Sequence, residues 1–269
     1  MAPKKGEEFN RKRPSWVPQL DETTNRTSPS ICSVGKTTQN WRKHEELLFD
    51  ASKGQSMSTV RALSPDVLRL ESIRIDRLQT PMNEAQDSLY ARLLPWEAYR
   101  EFMPEFDLET WGRMFYVTTT AGLTPELSMS SEEPLCHFWS YLLEQQRHHL
   151  RASSSESVDK FLPKHVRYSE QLAQGGHSEQ YTKASKLSNG RFLFLTSRRD
   201  PVLGPPSMRN GDVVAVLFGG KLPFILRKTK ADDPHWTFIG ECYVHNLMDG
   251  QAIRQWRRGE AKSEWFDIR

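Results

Sequence analysis

Gly211-Asp212-Val213-Val214-Ala215-Val216-Leu217-Phe218-Gly219-Gly220 is the stretch on which the fold turns. Val213 to Phe218 is apolar at every position, not at every second one, and turn residues bound it on both sides, Asn210-Gly211-Asp212 before and Gly219-Gly220 after. A short run of that kind predicts a strand buried on both faces. The glycine pair turns the chain, and Pro223 to Lys228 returns as the hairpin partner. Working outward, Arg191 to Thr196 reads as another strand, His235 to His245 as a longer one, and Glu264 to Ile268 as a last edge strand. Short strands joined by tight turns predict an α+β fold in which a small antiparallel β-barrel or curled sheet carries a helical insertion.

The insertion lies upstream. Asp107 caps a helix with apolar positions Leu108, Trp111 and Phe115. Ser130 and Glu133 fit a capping box, with Pro134 in the first turn, ahead of Leu135, Phe138 and Leu142 at helical spacing. A further helix from Ser157 to about Ala173 is ended by Gly175-Gly176. Before these, residues 56–79 read as a hairpin, with Ser58 to Leu63 as one strand, Ser64-Pro65-Asp66 as the turn and the alternating run Val67 to Ile75 as the other strand. Leu70 and Ile73 are three apart, so a bulge at Glu71-Ser72 is expected to keep the alternation in phase. The expected organisation is a disordered basic arm at 1–13, an anchor strand, polar loop and hairpin at 14–80, the helical insertion at 81–189, and the antiparallel β core at 190–269.

Charge and cysteine content exclude several classes. Thirty-seven basic residues balance 34 acidic ones for a net +3, too even to argue for nucleic acid as a partner. The three cysteines, Cys32, Cys136 and Cys242, are far apart and form no CxxC pair, which fits free thiols in a reducing compartment. No apolar run is long enough to span a bilayer and the N-terminus lacks a signal-like stretch, so a cytoplasmic or nuclear location without membrane contact is expected. No His, Cys, Asp or Glu cluster has metal-ligand spacing. Neither Gly204-Pro205-Pro206 nor Gly219-Gly220 leads into the Lys-Ser/Thr of a phosphate loop. No metal or cofactor is therefore expected.

Gly211 to Gly220, Pro223-Phe224-Ile225-Leu226-Arg227 and Gly240-Glu241-Cys242-Tyr243-Val244-His245-Asn246-Leu247-Met248-Asp249-Gly250 together resemble the segment that ends many fungal heterokaryon-incompatibility (HET) proteins. Leu203-Gly204-Pro205-Pro206 and the closing Trp265-Phe266-Asp267-Ile268-Arg269 fit the same pattern. Pro14-Ser15-Trp16-Val17-Pro18 looks like the short motif that follows the HET domain, and Phe49-Asp50-Ala51-Ser52 and Leu70 to Asp76 like the intervening strands. The resemblance implies that Trp16, Gly211, Asp212, Gly219, Gly220, Pro223, Gly240, Cys242 and Gly250 are structural positions. It also implies a context of non-self recognition and programmed cell death. The death-inducing HET domain, which resembles TIR-type domains and precedes this region in the family, is expected to be absent. A truncated product, a mis-called start and a stand-alone relative are all compatible with that pattern.

The residues that invite a chemical reading are Glu241, Cys242, Tyr243, His245 and Asp249. If His235 to His245 is one strand, Cys242 and His245 point to opposite faces and form no dyad, and Cys242 shares a core face with Phe238, Gly240 and Val244. Glu241, Tyr243 and His245, with Asp249 nearby, then line the other face as a candidate binding surface. Arg254, Arg257 and Arg258 beside Trp256 read as a solvated face. The first reading is a non-catalytic accessory module whose partner is a protein, a HET domain in cis or in trans. The alternative is a small cysteine or acid/base hydrolase on the Glu241/His245 face, which needs a helical-region group such as His137 or Asp159 beside it.

Overall fold

The computed structural model describes residues 49–55, 61–79, 108–122, 133–153, 170–230 and 232–269. The arm at 1–13, the Trp16 motif, the capping box at Ser130 and most of the helix expected from Ser157 lie outside the described residues. In chain order the elements are β1 (Arg61–Ser64), β2 (Val67–Arg77), α1 (Leu108–Thr119), α2 (Glu133–Ser153), α3 (Ser178–Ala184), β3 (Phe192–Leu195), β4 (Pro201–Gly204), β5 (Val213–Leu217), β6 (Phe224–Lys228), β7 (His235–Glu241), β8 (Tyr243–Val244), α4 (Gln251–Arg257) and β9 (Ser263–Ile268). They fall into two compact units, Met1–Thr80 with Gly190–Arg269, and Pro81–Asn189. None of the described helices is long and apolar enough to cross a membrane.

The first unit is built on a closed barrel. Its strands run β2-β5-β6-β7-β9, and β9 pairs again with β2, which closes the ring. β9 is therefore a closing strand and not the edge strand expected from its sequence. It lies antiparallel to β2 over Leu68–Ile73 and parallel to β7 at His235 and Trp236. A parallel neighbour cannot be reached by a tight turn, and the crossover carries α4. β1 extends β2 beyond the barrel as the other arm of the hairpin.

β5 is buried at every position, because it has a core on each side. Val213, Ala215 and Leu217 join Leu226, Trp236, Phe266 and Ile268 in a cluster drawn from the barrel strands. Val214 and Val216 join Phe194, Val202, Val244, Ala252 and Ile253 in a second cluster, which links the barrel wall to α4 and to the three-stranded sheet β3-β4-β8. Each of the valine, leucine, isoleucine and phenylalanine side chains among them contributes roughly 1.5–3 kcal/mol by burial. The same two-sided burial explains Leu70 and Ile73. Leu70 packs on the first cluster and Ile73 belongs to the second, so odd spacing is what two apolar faces require. No bulge falls at Glu71-Ser72; the register shift lies between Arg74 and Asp76.

The helical unit packs around aromatic rings. Trp111 stacks on Phe115 with centroids 4.3 Å apart, and Tyr181 of α3 meets Phe138 at 5.2 Å and Tyr141 at 4.8 Å. The Tyr181 hydroxyl donates to Thr119 Oγ1 at 2.8 Å, which satisfies the polar end of a fully buried ring.

Candidate functional site

The segment Gly240–Gly250 is where the chain leaves the barrel. β6 and β7 pair Ile225 with Gly240 and Leu226 with Phe238, so Ile239 is an extra residue on β7. Gly240 has φ 150°, and a Cβ there would lie 3.1 Å from Pro205 Cγ. The chain then bends, the Cys242 amide donates to the Pro223 carbonyl at 2.9 Å, and Tyr243-Val244 crosses to the second sheet beside β4. The single strand expected from His235 to His245 is thus broken at Cys242, and His245–Leu247 is a 3-10 turn. The extra residue also changes the faces. Phe238 packs on the barrel cluster, whereas Cys242 and Val244 belong to the second core. Cys242 is fully buried there, and burial pushes its thiol pKa far up, which leaves a poor nucleophile.

The four candidate binding residues are held by different partners. Glu241 faces Arg191, whose Nη2 lies 3.4 Å from Oε1 and whose side chain is 5% exposed. Burial pulls the Arg191 pKa down, against the opposing charge of Glu241. Tyr243 is buried, its ring meets Phe49 edge-on at 5.7 Å, and its hydroxyl lies 3.2 Å from His245 Nδ1. Burial lowers the His245 pKa and favours the neutral ring. Asp249 is paired with Lys53 at 3.5 Å and Arg254 at 3.7 Å. His137 takes a hydrogen bond from the His177 amide at 2.9 Å within the helical unit, and Asp159 lies outside the described residues.

The glycine-flanked motifs hold a docked turn. Phe49-Asp50-Ala51-Ser52 is not a strand: Ala51 to Gly54 form a turn. The Asp50 amide donates to Met248 O at 3.0 Å, Ala51 to Lys221 O at 3.1 Å and Ser52 to Gly220 O at 3.2 Å. Lys221 Nζ closes on Asp50 Oδ2 at 3.2 Å. Gly250 has φ 68°, and a Cβ on it would sit 2.3 Å from Lys53 Cβ, so only glycine leaves room for the turn. Gly211 ends the preceding loop, and Asp212 anchors it. The Asp212 carboxylate, 2% exposed, takes the Arg209 amide at 2.8 Å and two parallel bonds from Arg227, Nε to Oδ1 at 2.7 Å and Nη2 to Oδ2 at 2.8 Å. Arg227 also reaches the Ser207 carbonyl. Arg254, Arg257 and Arg258 are exposed, as a solvated face requires, with Arg257 reaching Gln55 at 3.2 Å and Arg258 pairing with Glu260 at 3.2 Å, while Trp256 turns inward and meets Phe218 edge-on at 5.0 Å.

One surface feature escaped the sequence reading. Trp265 on β9 is 46% exposed, and with Leu63 it is one of the two large hydrophobics exposed among the described residues. It stands opposite Glu71 on the outer face of β2 and β9. Arg69–Asp267 flanks it on one side, with bonds of 2.6 and 2.7 Å, and Ser263 Oγ–Glu71 Oε1 at 2.7 Å on the other. An indole in a rim of paired polar groups has the composition of an interface hot spot. The signal available in sequence was its place between Glu264 and Asp267, next to the inward Phe266.

Residues 140–262 match the family described as the Het-6 beta-barrel domain. Neither a curated protein nor a solved structure matches the chain. The family match begins within α2 and runs through α3 and β3 to the end of α4, and so includes the stretch Gly211 to Gly250 that carries most of the HET resemblance, while β2 and β9 lie outside it. The chain therefore carries a HET-family domain, the Het-6 beta-barrel domain, in its C-terminal region.

Proposed function

We propose that this chain is a non-catalytic accessory module of a fungal non-self recognition system, and that it binds a HET domain, in cis or in trans, through the outer face of β2 and β9. The observation that carries the reading is Trp265, a large aromatic ring left half in solvent and framed by polar pairs that are already satisfied. Truncating such a ring in a complex costs about 2 kcal/mol or more, because it removes a desolvated anchor. The non-catalytic side of the reading is supported by the surroundings of the reactive groups. Cys242 is enclosed in the core, and Glu241 is committed to Arg191.

The test is a titration of the full chain with a separately expressed HET domain from the same source. The wild type is expected to bind saturably, and Trp265→Ala to bind at least tenfold more weakly with an unchanged melting temperature. Equal affinity of the two proteins would remove Trp265 as the anchor. The hydrolase alternative is tested on the same samples: ester hydrolysis that disappears in His245→Ala would replace the module reading with an enzyme.

A further inference from the structure

A concavity of about 600 Å³ lies at the end of the barrel where β2 runs out and β5 begins, lined among others by Arg74, Asp76, Arg77, Gln79, Ser197 and Arg198. Two irregularities of the backbone bring the arginines there. Arg74 pairs with Ala215 and Asp76 with Val214, so Ile75 is an extra residue on β2. Without it, Arg74 and Arg77, three apart, would point to opposite faces; with it they share one. The β3–β4 turn is tightened by Arg199, which adopts the left-handed region at φ 71°. Asp76 then fastens the turn to β2: Oδ1 accepts from the Arg77 amide at 2.8 Å and from the Ser197 hydroxyl, and Oδ2 accepts from the Arg198 amide at 2.8 Å.

The charges are unevenly spent. Arg74 is bound to Glu264 through bonds of 2.6 and 2.9 Å and serves as a wall. The Asp76 carboxylate has both oxygens occupied by the bonds just named. Arg77 and Arg198 are exposed, and neither makes an ion pair with a carboxylate among the described residues; Arg198 acts on Asp200 only through space. Both residues line the same cavity. Each presents a planar fork of donors that matches the tetrahedral oxygens of a phosphate.

We infer that this notch binds the phosphate group of a small phosphorylated molecule, with Arg77 and Arg198 as the two forks. Its volume falls in the range of small-ligand sites, roughly 300–1,000 Å³. Asp76 and Asp200 border the turn, and their carboxylates favour a compact ligand over a long phosphate backbone, which would run past them. Arg77 and Arg198 are not among the residues that frame Trp265, so the inference does not depend on the proposed partner.

The experiment is calorimetric titration of the full chain with inorganic pyrophosphate at constant ionic strength, against sodium chloride as the control. The wild type is expected to bind with a Kd below about 1 mM. Arg77→Gln and Arg198→Gln are each expected to weaken binding at least tenfold, while Arg254→Gln, which removes a side chain paired with Asp249, leaves it unchanged. Binding no stronger than the salt control, or binding unaffected by both Arg77→Gln and Arg198→Gln, overturns the inference. So does a single-stranded oligonucleotide that binds more tightly than pyrophosphate and is lost in the same two variants, since that marks a nucleic-acid surface.

Discussion

Arg69 on β2 clasps Asp267 on β9 through two parallel hydrogen bonds, Nε to Oδ1 at 2.6 Å and Nη2 to Oδ2 at 2.7 Å, across 198 residues of sequence. These bonds pull the Asp267 carboxyl below its ordinary value of 3.8, against a smaller opposing effect of burial. A carboxyl depressed in the folded state adds stability above its unfolded pKa, and that stability is lost as pH falls through the folded value. The difference in unfolding free energy between wild type and Asp267→Asn is therefore expected to be about 1 kcal/mol near neutrality. It should begin to shrink below about pH 4 and approach zero under stronger acid. Urea midpoints measured along that pH series check it, and a difference that stays constant throughout would show that the clasp is not what titrates.

Asp212 is expected to be among the costliest single positions in the barrel. Its removal leaves Arg227 partly buried without its bidentate partner and frees the Arg209 amide. Asp212→Ala should lower stability by about 3 kcal/mol. Asp212→Ala with Arg227→Met should recover part of that loss, because the orphaned charge is gone. A double variant no better than the single one would show that the cost lies in the loop and not in the ion pair.

Gly250→Ala is a test of the docked turn. The new methyl group meets Lys53 and the backbone must hold φ 68°, so a loss of about 2 kcal/mol is expected. The local signature is more specific than the total. Amide exchange at Ala51 and Ser52, whose protons are held by Lys221 and Gly220, should accelerate more than exchange at Val214.

Cys242 and Cys136 give a built-in comparison of thiol reactivity. Cys242 is buried and Cys136 is intermediate in exposure. At mildly alkaline pH in the folded chain, alkylation of Cys242 is expected to be at least about a hundredfold slower than in denaturant, because burial both raises its pKa and blocks access. Cys136 should show a much smaller difference. Mass spectrometry of the labelled peptides reads both rates. Rapid native labelling of Cys242, reduced by His245→Ala, would couple the two residues and revive the hydrolase alternative.

Local pattern told the truth wherever one segment carried the whole cause. Val213 to Phe218 is apolar throughout, and β5 is buried on both sides. Leu108, Trp111 and Phe115 have helical spacing, and α1 lies there. Three features had causes that a local pattern does not hold. Pro201 to Gly204 looks like punctuation, yet a proline is tolerated as the first residue of a strand, and β4 begins there. Glu264 to Ile268 was legible as a strand, but its partners are set by closure with β2 and β7. The faces of Phe238 and Cys242 depended on a single extra residue at Ile239, which inverts the alternation past Gly240. Of the candidate site, the burial of Cys242 was foreseen for a reason that did not hold. The exposure of Trp265 and the pairing of Arg191 with Glu241 needed the tertiary arrangement.

Closure of the barrel by β9 against β2 sets the order in which the polypeptide becomes stable. The β2–β5 and β2–β9 ladders both bridge a connection that contains the whole of Pro81–Asn189. Such long-range pairing makes folding slow, since chain entropy is lost before the contacts repay it. Loop-closure entropy grows only with the logarithm of loop length, so doubling a flexible loop adds only about 0.6 kcal/mol. The barrel can thus tolerate helical insertions of very different sizes between β2 and β3 without losing its register, and the insertion is the part of this architecture most open to divergence.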